Sequence, residues 1–332
     1  MQSDAVIFTA PNKVEFGKVE CPDPVPGDVV VRVTHSWISN GTEGSFLRGE
    51  RIAGDTPFRP GDPMPFPIIA GYQKIGVIEW IGSEVRDLRI GETVFCAMGK
   101  VKGMFADYGG QVSPSVSPRH QIWKLPAGRD PLAFSGLVLT QVGYNCGARA
   151  PIEAAEGALV IGDGMVGHWA AQTLSLRGVD VVMVGRHDDR LSKFRTSSFR
   201  HIINEKQCDW VQRTRELLPK GVRVAVDTVG SIAAIQKILP LMNKYGHIVS
   251  AGFYGTNDAL PLQPLRGWEL SVDLVSGWSQ DRMDKTLELI AGGYLETLPL
   301  ITHHFPVSRA AEAWALIASK SENALGVILD WN

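Results

Sequence analysis

Near the middle of the chain, Ala158-Leu159-Val160-Ile161 runs straight into Gly162-Asp163-Gly164-Met165-Val166-Gly167, and an apolar stretch then continues to Arg177. An apolar run, three glycines at this spacing and a helix-forming segment read as strand, tight turn and helix. A second strand-like run, Asp180-Val181-Val182-Met183-Val184, follows. In this setting each glycine has its own task. Gly162 permits the turn, Gly164 lets backbone approach a pyrophosphate, and Gly167 lets helix and strand pack closely. The helix start, with Met165 and Val166, offers N–H groups and a partial positive charge that suit phosphate. The pattern confines this half of the chain to a parallel, doubly wound α/β sheet and points to a bound dinucleotide. A glycine-rich turn without a ligand is the alternative for the same residues.

The second strand ends in Gly185-Arg186-His187, with Arg190 and Lys193 close behind. A site for NAD(H) places Asp or Glu here to bind the ribose hydroxyls. With no carboxylate at that point, nothing repels a 2′-phosphate, and a guanidinium grips one with paired hydrogen bonds. The expected cofactor is therefore NADP(H), held by Arg186 and Arg190. The alternative is that Arg186 stacks on adenine or points to solvent.

The flanking segments differ in character. Val6-Ile7-Phe8, Val29–Val33 after the turn Pro26-Gly27-Asp28, Ile75–Ile81 and Glu92–Ala97 read as strands, so the first ~125 residues form a β-rich unit with Gly/Pro turns. Residues 53–67 are rich in Pro and Gly and read as a long loop. From Asp130 helices alternate with short apolar strands: a helix over Leu132–Ala148, a strand at Val222–Val226, a helix over Ile232–Leu241 and a strand at Gly246–Ala251. The tail is mixed again, with helices near Met283–Ala291 and Arg309–Ile317 and a strand at Gly326–Leu329. Two domains are expected: residues 1–130 completed by 276–332, and residues 131–275.

The 332 residues carry 33 Lys+Arg against 35 Asp+Glu, a formal charge of −2, and 44% are hydrophobic. That apolar content excludes disorder as the main state, and the lack of a basic block argues against a nucleic-acid partner. No apolar run approaches the ~20 residues of a spanning helix, and the N-terminus lacks the basic head and apolar stretch of a signal peptide. Cys21, Cys96, Cys146 and Cys208 are scattered, as in a cytoplasmic protein with free thiols. A small-molecule substrate is the expected partner.

The order of a β-rich unit, a glycine fingerprint and a mixed tail, with Asp227-Thr228-Val229-Gly230 and Gly246-His247-Ile248-Val249-Ser250-Ala251-Gly252, resembles the medium-chain dehydrogenase/reductase superfamily over essentially the whole chain. The resemblance implies a GroES-like catalytic domain and a Rossmann domain. It also implies Val229, Ala251, Gly252 and Phe253 at the nicotinamide end, and a homodimer or homotetramer. Ser39-x-Gly41-Thr42-Glu43, Gly71-Tyr72, Lys102-Gly103-Met104-Phe105 and Val327-Ile328-Leu329-Asp330-Trp331 are similar to a zinc-free branch of bacteriochlorophyllide hydroxyethyl dehydrogenase-like oxidoreductases.

Zinc members of that superfamily carry Cys-Gly-Thr-Asp, then Gly-His-Glu, then a Cys or Glu. Here the matching segments are Ile38-Ser39-Asn40-Gly41-Thr42-Glu43, Gly71-Tyr72-Gln73, and the neighbourhood of Val138–Thr140, which has neither Cys nor Glu. A catalytic zinc needs three thiolate, imidazole or carboxylate donors. The structural four-cysteine lobe is missing too, since only Cys96 lies in that region. No bound zinc is expected, and His303-His304 form no substitute site, since neighbours on a strand face opposite ways.

Hydride transfer to a carbonyl leaves an alkoxide that must be protonated or stabilised. By the resemblance, Tyr72 takes a metal ligand's place and faces the substrate. Lys74, two residues on, would share its face in an extended segment and lower its pKa. Alternatively Tyr72 fills the vacated metal hole and bonds Ser39 or Asn40. Glu43 either relays a proton or forms a buried hydrogen bond. Ser39 is a candidate catalytic residue with Tyr72, Glu43 and Lys74; Asn40, Thr42 and Gln73 are candidate polar contacts for substrate, and Trp278 is a candidate wall of the cleft, with a core or oligomer role as its alternative. Three functions remain open. The first is a zinc-independent NADP(H)-linked interconversion of an alcohol, such as a polyol or sugar-like compound, with a ketone or aldehyde. The second is NADPH-dependent reduction of an enone or quinone C=C bond. The third is NADPH binding without catalysis.

Overall fold

The computed structural model describes residues 1–194, 200–256, 259–320 and 322–331. The chain forms two compact units, Met1–Val138 with Thr297–Asn332, and Leu139–Glu296.

The first unit is built around the strand Asp28–Trp37, which pairs antiparallel with Lys74–Ile81, Ser115–Pro118 and Gly326–Asp330. Its β-branched run suits a strand buried on both faces. Val29 and Val31 join Ile78, Val94 and Ile122 in one apolar cluster, while Val30 joins Ala5, Ile69 and Val116 in another. A three-stranded sheet orders Val112–Ser113, Gln2–Ala10 and Lys13–Glu20. The long segment expected as a loop carries a short hairpin at its start: Arg51–Ala53 pairs with Thr56–Pro57, and Gly54 supplies a φ of +51° at the turn.

The second unit is a six-stranded sheet in which every pairing is parallel. The strands Gly157–Ile161, Asp180–Gly185, Arg200–Asn204, Val222–Asp227, Met242–Ser250 and Ser271–Leu274 are ordered third, second, first, fourth, fifth, sixth across it. Both faces are covered. Leu159, Ile161, Val182 and Val184 pack with Trp210, Ile235 and Ile238 of two helices. Ala158, Val160, Val181 and Met183 pack with Cys146, Ala170 and Leu174 of two others. The period-2 alternation thus feeds two cores, so these strands read as unbroken apolar runs. The expected α/β fold, a β-rich domain and a doubly wound parallel sheet, is the fold observed.

The seams between the units lie at Val138/Leu139 and Glu296/Thr297 rather than at 130/131 and 275/276. Hydrogen bonds explain the second. Gln141 Nε2 donates to Gly277 O at 3.2 Å, Trp169 Nε1 donates to Glu296 O at 3.0 Å, and Glu296 N donates to Gln172 Oε1 at 2.9 Å. Residues 276–296, including the helix Gln280–Ala291, therefore stay with the parallel sheet. His303 and His304 lie on the strand Ile301–Pro306 and pair with different carboxylates, Glu322 and Asp330, each at 3.1 Å. Among the described residues no helix is long and apolar enough to cross a membrane.

Candidate active site

At the glycine fingerprint, Gly162 has φ +116°, and a Cβ there would meet Thr228 Oγ1 at 2.3 Å. A Cβ on Gly167 would stand 2.0 Å from Gly162 O, so helix and turn touch through backbone. Gly164 differs: nothing lies within 4 Å of its Cβ position. It caps the helix Met165–Leu176 without a side-chain hydrogen bond. Met165 is buried, Val166 partly so. The open space over Gly164 at an uncapped helix start is what a pyrophosphate requires, so these residues fit a dinucleotide.

The next edge is organised by Asp163, the variable residue of the motif, which sequence reasoning left unassigned. Its buried Oδ2 accepts from Arg186 N at 2.7 Å, His187 N at 2.9 Å and His187 Nδ1 at 2.9 Å. Arg190 Nη1 lies 3.7 Å from Oδ1. The Arg186 side chain is 64% exposed, and its Nε donates to Glu205 just beyond the strand Arg200–Asn204. Arg186 and Arg190 thus meet around one carboxylate, and Glu205 is a second that no sequence motif marked.

The ends of the fourth and fifth strands are fixed by another buried acid. Asp227 Oδ1 accepts from Val229 N at 3.0 Å, and Oδ2 accepts from Gly230 N at 3.1 Å, Ser231 N at 3.2 Å and Tyr254 OH at 2.5 Å. Gly230 and Gly252 touch backbone to backbone: a Cβ on Gly252 would lie 2.1 Å from Gly230 N. Val229 is left 52% exposed, and Ala251, Gly252 and Phe253 are partly exposed beside it. Trp278 stands partly buried in the same unit, just before the helix Gln280–Ala291.

A separate polar network lies in the first unit. Tyr72 OH donates to Ser39 Oγ at 2.6 Å. Ser39 N donates to Glu43 Oε1 at 2.8 Å, and Gln111 Nε2 donates to Glu43 Oε2 at 3.2 Å. Ser36 Oγ donates to Gln111 Oε1 at 2.6 Å and accepts from Trp331 Nε1 at 2.8 Å. Glu43, Ser39, Ser36 and Gln111 are all buried. Gly71, at φ +91°, lets the chain pass Gln111 and Glu43: its Cβ would meet them at 3.0–3.2 Å. Thr42 starts the helix Thr42–Leu47 beside the Tyr72 hydroxyl.

Several sequence-derived roles change here. Lys74 does not join Tyr72; its buried Nζ donates to Ala97 O at 3.3 Å and lies beside Cys96. The alternation that would have put both on one face needs a strand, but the strand begins at Lys74 itself, after the turn at Gly71. Burial pushes the Lys74 amine below the usual lysine range. Burial, with the Glu43 charge adding to it, pushes the Tyr72 phenol up to about 12 instead of down. The cation on the Tyr72 side is the buried Arg51, whose Nε donates to Ser45 Oγ at 2.5 Å and whose Nη1 meets Asp55 at 2.6 Å. Gln73 is buried and donates to Trp37 O at 3.1 Å, a structural contact. Asn40 donates to Leu325 O at 2.9 Å. Glu43 takes the buried hydrogen-bonded form of its two readings.

Comparison with known proteins fits this geometry. The family model of zinc-binding dehydrogenases matches residues 165–292. A 2-desacetyl-2-hydroxyethyl bacteriochlorophyllide A dehydrogenase of Cereibacter sphaeroides is 29% identical across 100% of this chain and 99% of its own. The starvation-sensing protein RspB of Escherichia coli is 26% identical across 99% of each. A Sinorhizobium meliloti protein assigned to the zinc-binding dehydrogenases, solved with NADP bound, superposes with TM-score 0.84 at 19% identity over 100% of both chains. An Escherichia coli alcohol dehydrogenase, rspB, solved with NADH, does so with TM-score 0.84 at 22% identity over 99% of both. In sequence and fold the chain is similar to the medium-chain dehydrogenase/reductase superfamily. Relatives of this kind are dehydrogenases, which supports an oxidoreductase. The zinc that many members of the superfamily bind does not suit the residues present. Tyr72, Asn40 or Ser39, and Val138–Thr140 offer phenol, amide, hydroxyl and hydrocarbon where three strong donors are needed.

Glu43 predicts a pH dependence of stability. Burial raises its carboxyl from the ordinary 4.5 to about 7, against two hydrogen bonds that lower it. Between those values the unfolded chain has released the proton while the folded chain keeps it. Stability conferred at this site therefore falls as pH rises through that window, by roughly 3 kcal/mol in all, and is flat above it. The difference in unfolding free energy between wild type and Glu43→Gln should drift by about that amount from pH 5 to pH 8 in favour of the variant. Urea titrations at both pH values check this, and a constant difference refutes it.

Proposed function

We propose that the chain is a zinc-independent, NADP(H)-linked oxidoreductase that interconverts an alcohol with a ketone or aldehyde. The Tyr72–Ser39 hydrogen bond supports this reading, because by the sequence resemblance these two residues stand where zinc relatives carry metal ligands. With its pKa near 12, Tyr72 stays protonated at working pH, and its one O–H proton turns from Ser39 Oγ to the substrate oxygen when substrate binds. Ser39 and Thr42 aim that hydroxyl. Glu43, held by Ser39 N and Gln111, is a positioning residue. Gly162, Gly164, Gly167, Met165 and Val166 would hold the coenzyme phosphates, Arg186 and Arg190 its 2′-phosphate, and Val229, Ala251, Gly252 and Phe253 its nicotinamide. The bound coenzyme supplies or accepts the hydride.

The bacteriochlorophyllide relative, named for a hydroxyethyl group, suggests secondary alcohols for the first panel, beside polyols. The test is turnover with each coenzyme before and after exhaustive dialysis against a strong chelator. Oxidation of alcohols with NADP⁺ that survives the chelator is the expected result. Loss of activity restored by added zinc overturns zinc independence. NADPH consumption with enones or quinones but not ketones overturns the alcohol assignment, and tight coenzyme binding without turnover overturns catalysis.

A further inference from the structure

Two carboxylates address Arg186, and they do so differently. Asp163 is buried and accepts from the backbone N–H groups of Arg186 and His187, so it fixes the course of the chain as it leaves the strand Asp180–Gly185. Glu205 reaches the guanidinium itself, through Nε. Its own backbone is pinned at the same sheet edge, since Glu205 N donates to Gly185 O at 2.9 Å. The Glu205 carboxylate is 24% exposed and the Arg186 side chain 64%. Among the described residues, Glu205 is the one side chain that the Arg186 guanidinium engages.

We propose that Glu205 sets the coenzyme preference by competing with a 2′-phosphate for Arg186. The proposal rests on the NADP(H) reading above, in which Arg186 faces the 2′ position. A phosphate needs the guanidinium as a paired donor and is repelled by a carboxylate beside it. A ribose 2′-hydroxyl, in contrast, donates to a carboxylate, as the acidic residue of NAD(H) sites shows. Glu205 therefore works against the phosphorylated coenzyme and in favour of the plain one. Carried just beyond the neighbouring strand Arg200–Asn204 rather than beyond the strand that leads to Arg186, it holds the pair in balance where Arg186 alone would favour NADP(H) outright.

Dissociation constants for NADPH and NADH, read by fluorescence titration, test this without any need for turnover. Glu205→Gln keeps an oxygen that accepts from Arg186 Nε and removes the charge. It should shift the affinity ratio toward NADPH by roughly tenfold, the size of one partly screened charge interaction. In an Arg186→Ala background the same substitution should have little effect, because the contested group is gone. No shift in the wild-type background, or an equal shift in both, overturns the competition. Arg186→Ala alone separates the two levels. If it weakens NADPH selectively and Glu205→Gln does nothing, only the role of Glu205 falls. If it leaves NADPH binding intact, the 2′-phosphate reading falls and the competition with it.

Discussion

Tyr72→Phe should lower carbonyl turnover by roughly 10²- to 10³-fold, the usual worth of a single donor aimed at a developing oxyanion. The aromatic ring is kept, so packing changes little, and the lost atom is the hydroxyl that donates to Ser39 Oγ at 2.6 Å. A phenol raised to about 12 keeps its proton at working pH and so has one to donate, and its removal acts on the step that builds charge on oxygen. The loss belongs in kcat, while coenzyme affinity, which we assign to the other unit, should stay at the wild-type value. Single-turnover reduction followed by NADPH fluorescence separates the two. A variant that reduces ketones at the wild-type rate takes Tyr72 out of the chemistry. Wild-type turnover restored by Ser39→Ala in the same background would also do so, because the hydroxyl would then be a structural partner only.

How much of this could be read from residues alone depended on how far each partner lies along the chain. The parallel sheet was legible because its strands are buried on both faces and so appear as unbroken apolar runs such as Ala158–Ile161 and Val181–Val184. The fingerprint glycines were legible because turn, cradle and helix contact fall within six consecutive residues. The polar network was not. Gln111 meets Glu43 across 68 residues of sequence, Ser36 meets Gln111 across 75, and Trp331 meets Ser36 across 295. No local pattern encodes such pairs. Glu205 is 19 residues from Arg186, but a neighbouring strand brings them together, and strand adjacency is a tertiary property. Lys74 was misassigned for a local reason: a period of two presumes a strand, and the positive φ at Gly71 delays the strand by just enough to turn the amine into the core. The seam at Glu296 was missed because the helix Gln280–Ala291 has an ordinary amphipathic pattern, while the bonds that assign it come from Trp169 and Gln172 on another helix.

Two alanine substitutions within one motif should both weaken coenzyme binding but differ in their effect on stability, and together they test the dinucleotide assignment. Gly164→Ala adds a methyl group where no protein atom lies within 4 Å, at a backbone conformation of φ −80° and ψ 174° that alanine adopts freely. Protein stability should hold. Coenzyme affinity should fall by roughly ten- to hundredfold, the worth of one hydrogen bond to a charged group, because the methyl keeps phosphate off the helix start. Gly167→Ala puts the methyl 2.0 Å from Gly162 O. Gly162 cannot yield, since its own positive φ seats it against Thr228, whose Oγ1 donates to Ile161 O at 2.8 Å. The helix must lift from the sheet, at about 1–3 kcal/mol for the overpacked contact. That variant should lose thermal stability and coenzyme together. Thermal melts with and without NADPH distinguish the cases: the Gly164 variant should melt like wild type alone but gain less from coenzyme, and the Gly167 variant should melt early in both. If Gly164→Ala leaves the dissociation constant unchanged, no phosphate comes near that backbone, and the turn is one that packs helix to strand and binds nothing.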